Sequence, residues 1–200
     1  MKHYNGCTIW GILDKYEEKE TETGKPFLEV FVNCQHHQYG NVRVLGRVWG
    51  KDNMLQFTEM FRRGSEIRLE GNMQQYTGRN GQVKTTFNFY KFNYGPLKEQ
   101  KAAFRLTGIV QEPETQDAAS MLKLLVRQEN EGYAPKDEIF TVIISTEASL
   151  SLNGSNDPGL GDLVRVKGYL QVEEDEFGDT KGPQMPVAKN MEIITAENVS

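Results

Sequence analysis

One stretch of this sequence is written twice. Gly64-Ser65-Glu66-Ile67-Arg68-Leu69-Glu70-Gly71-Asn72-Met73-Gln74 matches Gly161-Asp162-Leu163-Val164-Arg165-Val166-Lys167-Gly168-Tyr169-Leu170-Gln171 at an offset of 97 residues. At the same offset Trp10-Gly11-Ile12-Leu13 falls on Thr107-Gly108-Ile109-Val110. Two separated segments sharing one gapless offset mark a duplicated unit. A length of 200 residues allows one large domain or two small ones, and the repeat selects two. The copies are expected at 1–94 and 103–200, with a linker at 95–102 where Gly95-Pro96 supplies turn chemistry.

Alternating or apolar runs in the first copy predict strands at Thr8–Lys15, Phe27–Cys34, Val42–Trp49, Glu66–Gln75 and Val83–Phe92. Between the third and fourth, Met54, Leu55, Phe57, Met60 and Phe61 have helical spacing, with Asp52 as N-cap and Gly64 as stop. The second copy predicts strands near Phe104–Gln111, Met121–Gln128, Ile139–Ser145, Leu163–Val172 and Pro186–Ile194, with at most a short turn of helix after Glu147. Five strands with a helix between the third and fourth is the order of the OB-fold, a partly open barrel. The expected class is therefore all-β: two tandem five-stranded OB-fold barrels, the first with the helix.

The segment Arg63-Gly64-Ser65-Glu66-Ile67-Arg68-Leu69-Glu70-Gly71-Asn72-Met73, followed by Arg79-Asn80-Gly81-Gln82 and then Thr85-Thr86, resembles the fourth-strand signature of bacterial and phage single-stranded DNA-binding proteins. The resemblance is close over about 30 residues of the first copy and looser elsewhere. It implies a sequence-tolerant single-stranded DNA-binding protein of replication, recombination or repair. The sequence departs from the bacterial pattern in carrying two barrels and in ending Ala196-Glu197-Asn198-Val199-Ser200 rather than in an acidic tail tipped with Phe. The first departure suggests a phage, plasmid or specialised relative, and the second argues against recruiting repair proteins through the C-terminus.

The net charge of -5 runs against nucleic-acid binding, but its distribution does not. Residues 1–100 hold 14 Lys and Arg against 11 Asp and Glu; residues 101–200 hold 9 against 17. The first copy is thus expected to bind the strand, while the acidic second serves self-association, docking of a replication protein or release of DNA; alternatively Arg127, Arg165 and Lys167 extend the groove. Single strands are held by rings on which bases stack and by cations along the phosphates. In the third strand Val42, Val44, Gly46 and Val48 share one face, which leaves Arg43, Leu45, Arg47 and Trp49 on the other. Arg43, Arg47 and Trp49 are candidate contacts, unless the arginines are merely solvated and the Trp packs on the helix. In the fifth strand Phe87 and Phe89 read as core and Tyr90, with Asn88 and Phe92, as the ligand face, an assignment that a one-residue slip reverses. Arg68, Lys84 and Tyr39 complete the candidates, together with Tyr76 and Arg79 on the hairpin between strands four and five.

Other chemistries find no residues. Cys7 and Cys34 form no CxxC pair and read as buried thiols; His36-His37 point to opposite faces of an extended strand and cannot readily share a metal. No Walker loop, nucleophile elbow or HExxH occurs, so neither an enzyme nor a cofactor is expected. The start MKHYNGCTIW lacks a signal-peptide core and no run reaches the roughly 20 apolar residues of a membrane span, which predicts a soluble, cytoplasmic protein. Two rival functions stay open: an OB-fold adaptor of a replisome or conjugation machinery, whose rings anchor a protein, and a binder of single-stranded RNA.

Overall fold

Alternation of side chains along extended segments organises the whole molecule. The computed structural model describes residues 3–36, 40–77, 83–95, 98–111, 121–128, 135–145, 148, 158–171 and 185–194. Its elements are β1 (Tyr4–Glu20), β2 (Pro26–His36), β3 (Gly40–Trp49), α1 (Lys51–Met60), β4 (Glu66–Thr77), β5 (Val83–Tyr94), β6 (Lys101–Val110), β7 (Met121–Gln128), β8 (Lys136–Ile144), β9 (Leu163–Gln171) and β10 (Met185–Ile193). Every strand expected from the sequence is present, most of them longer by a few residues at one end or both. β1 pairs with β2 and β4, β2 with β3, β4 with β5, and the parallel β3–β5 pairing closes a ring. β6 pairs with β7 and β9, β7 with β8, β9 with β10, and the parallel β8–β10 pairing closes a second ring of the same order. The chain is all-β with two five-stranded OB-fold barrels.

The repeat is structural in detail. Gly64 and Gly161 both adopt φ near +87°, at 86° and 88°, in the turn before the fourth strand of each ring. Their amides donate to the carbonyls of Leu13 and Val110, at 2.8 and 3.0 Å. A side chain at either position would be strained in this left-handed region. Gly71 and Gly168 serve closeness instead: a Cβ would come within 2.2 Å of the Asn88 carbonyl or 1.9 Å of the Val187 carbonyl. Each sits where the neighbouring strand shifts register, β5 around Tyr90 and β10 around Lys189.

That irregularity corrects one expectation. Phe87 and Phe89 are buried and Tyr90 is 58% exposed, as read from the sequence, but Phe92 is buried rather than sharing the face of Tyr90. The register shift inserts one residue, which turns Phe92 back to the core. The helix boundaries also differ. Gly50, at φ 88°, is the N-cap, while Asp52 stands within the first turn, where its charge favours the helix dipole. The helix ends at Met60, before Gly64. Between 146 and 157 only Ala148 is described, and it is buried.

The helix supplies the plug of the first ring. Phe57 lies 5.8 Å from Tyr16, 5.0 Å from Phe61 and 5.4 Å from Phe92, centroid to centroid, with the Tyr16 and Phe92 rings edge-on. Such geometry suits aromatic quadrupoles.

The two rings meet through β1 and β6, paired antiparallel from Tyr4↔Thr107 to Trp10↔Lys101. Lys101 and Ala102, expected in the linker, are thus strand residues. Cys7 pairs with Phe104, its own counterpart at the repeat offset of 97. Two side-chain amides clasp backbone, Asn5 within the first ring and Gln75 across to the second. Asn5 donates to the Met73 carbonyl at 2.7 Å and accepts from its amide at 3.0 Å. Gln75 clasps Thr141 of β8 in the same way, at 2.9 and 2.7 Å.

Both cysteines are free and buried. Burial pushes the Cys34 thiol up to about 12 and raises that of Cys7 from its ordinary 9.0 as well. Because unfolding releases thiols that ionise above about 9, this contribution is fully present below pH 9 and declines as pH rises from 9 through 12. A disulfide-exchange reagent at pH 8 is expected to label neither thiol in the native protein and both in denaturant. Labelling that outpaces global unfolding would contradict this.

Candidate nucleic-acid interface

Residues that point away from the core of the first ring build one surface across β1, β2 and β3. In β1 the buried Ile9 and Leu13 alternate with Trp10; in β2 the buried Val30 and Val32 flank Phe31; in β3 the buried Val48 precedes Trp49. The outward residues include rings and cations; among them Asp14 is paired to Arg43, and Glu29, opposite Arg47, is paired to Lys19.

They are arranged in a repeated way. Over Trp10 stand the Arg68 guanidinium, 4.8 Å from the ring centroid, and the Lys101 ammonium at 3.7 Å. Over Phe31 stand Arg43 at 4.6 Å and Lys15 at 5.0 Å. Trp49 packs on Phe27 at 4.8 Å, with Lys25 5.1 Å from the Trp49 ring and Arg47 5.1 Å from that of Phe27. Each of the three ring positions thus has one arginine and one lysine. Phe27 and Phe31 are four residues apart on β2, about 13 Å at strand rise.

Electrostatics differ among the cations. Arg43 bonds Asp14 at 2.5 Å, so a phosphate there must compete with a carboxylate. Arg47 forms no ion pair among the described residues, and its buried Nε has no hydrogen-bond partner. The Trp49 indole N–H donates to Asn88 Oδ1 at 2.8 Å, which fixes the ring plane against β5.

Of the residues expected at the site, Arg43, Arg47 and Trp49 lie together on this surface, and Arg68 joins it through Trp10. Tyr90 stands at the register shift of β5, 58% exposed, and contacts none of the three ring positions among the described residues; partial burial, with Tyr4 contributing, raises its hydroxyl pKa. Tyr76 and Lys84 pair at the far end of the β4–β5 hairpin, next to the Gln75 clasp on β8, and contact none of the three ring positions among the described residues. Tyr39 and Arg79 lie outside the described residues, as does His37. No group of three metal-ligating side chains occurs among the described residues. Sequence reasoning missed Trp10, Phe27, Phe31, Lys15, Lys25 and Lys101. For Trp10 and Phe31 the signal was present, since both alternate with apolar core residues.

No protein-family model matches this chain, and no curated protein matches it in sequence. Solved structures do share its fold. The wild-type single-stranded DNA binding protein from Thermus aquaticus superposes with a TM-score of 0.66 at 13% identity, over 98% of this chain and 95% of that one. A deletion mutant of the Thermus aquaticus protein gives 0.63 at 14% identity, over 97% and 96%. This chain shares its fold with those structures over nearly its whole length.

Proposed function

We propose that this chain is a sequence-tolerant single-stranded DNA-binding protein of replication and recombination. The observation that carries the proposal is the row of three ring positions on β1, β2 and β3, each with one arginine and one lysine. The names of the two Thermus aquaticus structures that share the fold support it. The division into a binding domain at 1–94 and a second domain at 103–200, and a site of action in the cytoplasm of a cell or phage-infected host, belong to the same reading.

Magnitudes favour exchange of a lysine for a base. An exposed cation–ring contact is worth about 0.5 to 1 kcal/mol, whereas a base stacked on an aromatic ring is worth about 1 to 3 kcal/mol. Lys25 can swing from the ring to a phosphate as a base replaces it, while Lys15 and Lys101 withdraw onto their carboxylate partners Glu17 and Glu99. Arg47 and Arg68 stay as fixed phosphate contacts, while Arg43 is held by Asp14. Discrimination between bases is weak because every base has a stacking face.

Titration with oligo(dT) of about 30 nucleotides tests this, since Trp10 and Trp49 report stacking through their fluorescence. Quenching is expected with the single strand and not with a duplex. If Lys25, Arg47 and Arg68 neutralise phosphates, while Arg43, Lys15 and Lys101 are engaged by Asp14, Glu17 and Glu99, log K falls against log salt with a slope of about -2.1. Unchanged fluorescence at low salt and micromolar protein would remove DNA binding and favour a protein adaptor. Preference for oligo(U) over oligo(dT) would move the reading to RNA.

A further inference from the structure

The second copy is acidic in sequence but not on its strands. Residues 101–200 hold 17 Asp and Glu, of which only Asp137, Glu138, Asp162 and Glu192 are among the described residues. Those same described residues hold 8 of the 9 Lys and Arg of this half. The described part of the paired framework therefore carries net positive charge.

Part of that charge is concentrated at the seam. A groove of about 490 Å³ runs across β1, β6, β9 and β10, with Arg105, Lys167 and Lys189 along it and no carboxylate among the described residues of its lining. Gly6 pairs with Arg105 and Arg105 with Lys167, so the cations stand in one row across the strands. Tyr4 and Tyr169 supply rings. The Arg105 guanidinium lies 4.8 Å from the centre of Tyr4, which is 48% exposed. Gly6 makes room: a Cβ there would come 2.5 Å from the Tyr4 hydroxyl. This is the ring-and-cation chemistry of the first ring, reproduced at the junction.

The two surfaces are continuous. Tyr4, Gly6 and Thr8 line the groove, and Trp10 is the next residue on the same face of β1. We infer that the seam groove is a second phosphodiester-binding site, which takes the same single strand as it leaves Trp10 and crosses onto the second ring. The inference rests on the proposed DNA binding and adds a path to it.

The test compares oligo(dT) of about 10 nucleotides with one of about 35, for the native chain and the double variant Arg105→Ala/Lys167→Ala. Both residues are exposed, so the fold is expected to survive, as circular dichroism will check. The native chain should bind the long strand more tightly. In the variant the long strand should lose about tenfold and its salt slope should flatten by about 1.4, two phosphates' worth, while the short strand is unaffected. Equal loss for both lengths, or for neither, overturns the seam site and leaves the first surface standing; no binding of either length by the native chain removes the underlying reading instead. A change in light-scattering mass on substitution, without the length-dependent loss, assigns the groove to a second copy of this chain and overturns the inference. Should the variant misfold, photocrosslinking of a bromodeoxyuridine strand to the native chain decides: adducts on Tyr4 or Tyr169 support the path, and adducts confined to the first surface refute it.

Discussion

Replacing Trp10 and Trp49 together by alanine is expected to weaken oligo(dT) binding by about 100-fold. Each stack contributes about 1 to 3 kcal/mol, and a tenfold change in Kd corresponds to 1.4 kcal/mol. The lysine freed from each ring recovers little, because an exposed cation–ring contact is worth at most about 1 kcal/mol. Each single variant should lose about tenfold, and losses should add if the two rings hold different bases. Trp49→Phe keeps a stacking surface while giving up the bond to Asn88, and should restore most of the affinity lost in Trp49→Ala. The competing account makes Trp49 a packing partner of Phe27 alone. It predicts a lower melting temperature with unchanged affinity, which circular dichroism and titration on the same samples will separate.

The largest effect on stability is expected from Phe57→Ala. Phe57 is fully buried among Tyr16, Phe61 and Phe92. Removing a buried phenyl ring costs about 3 to 5 kcal/mol, part of it lost transfer energy and part the cavity left behind. For a chain of 200 residues this is a fall of about 6 to 20 °C in Tm. The damage should concentrate in the first ring, since Phe57 closes only that barrel. A loss under about 1 kcal/mol would mean that the helix can collapse into the space, and that it is not the plug described above. Oligo(dT) affinity measured well below the new Tm should change little, because the ring positions are carried by strands.

Much of this architecture was legible in the residues, for a physical reason. Val42, Val44 and Val48 alternate with Arg43, Arg47 and Trp49, and a pleated strand allows only one way to bury the first set. The offset repeat located the second barrel even where its central helix signal fades. Three things were not legible. A single inserted residue at Tyr90 turns Phe92 inward, and nothing in an apolar run tells a regular strand from one with a bulge. The cation pairs over Trp10 need β1 beside both β4 and β6, and that is tertiary information. The placement of charge in the second copy was not legible either, because a summed charge does not say which acids and bases stand on strands.

Cys7 faces Phe104 across the seam, and each occupies the same place in its own repeat. A pairing centred in this way is self-complementary, the relation between subunits of a symmetric dimer about a local two-fold axis. Two free copies would have to find each other, and their union would weaken on dilution. Joined in one polypeptide, they hold their shared edge at an effective concentration set by the short connection between β5 and β6, of order millimolar for a flexible link. The composite sheet, and any surface that spans it, therefore persists at concentrations where a dimer of single barrels would have come apart.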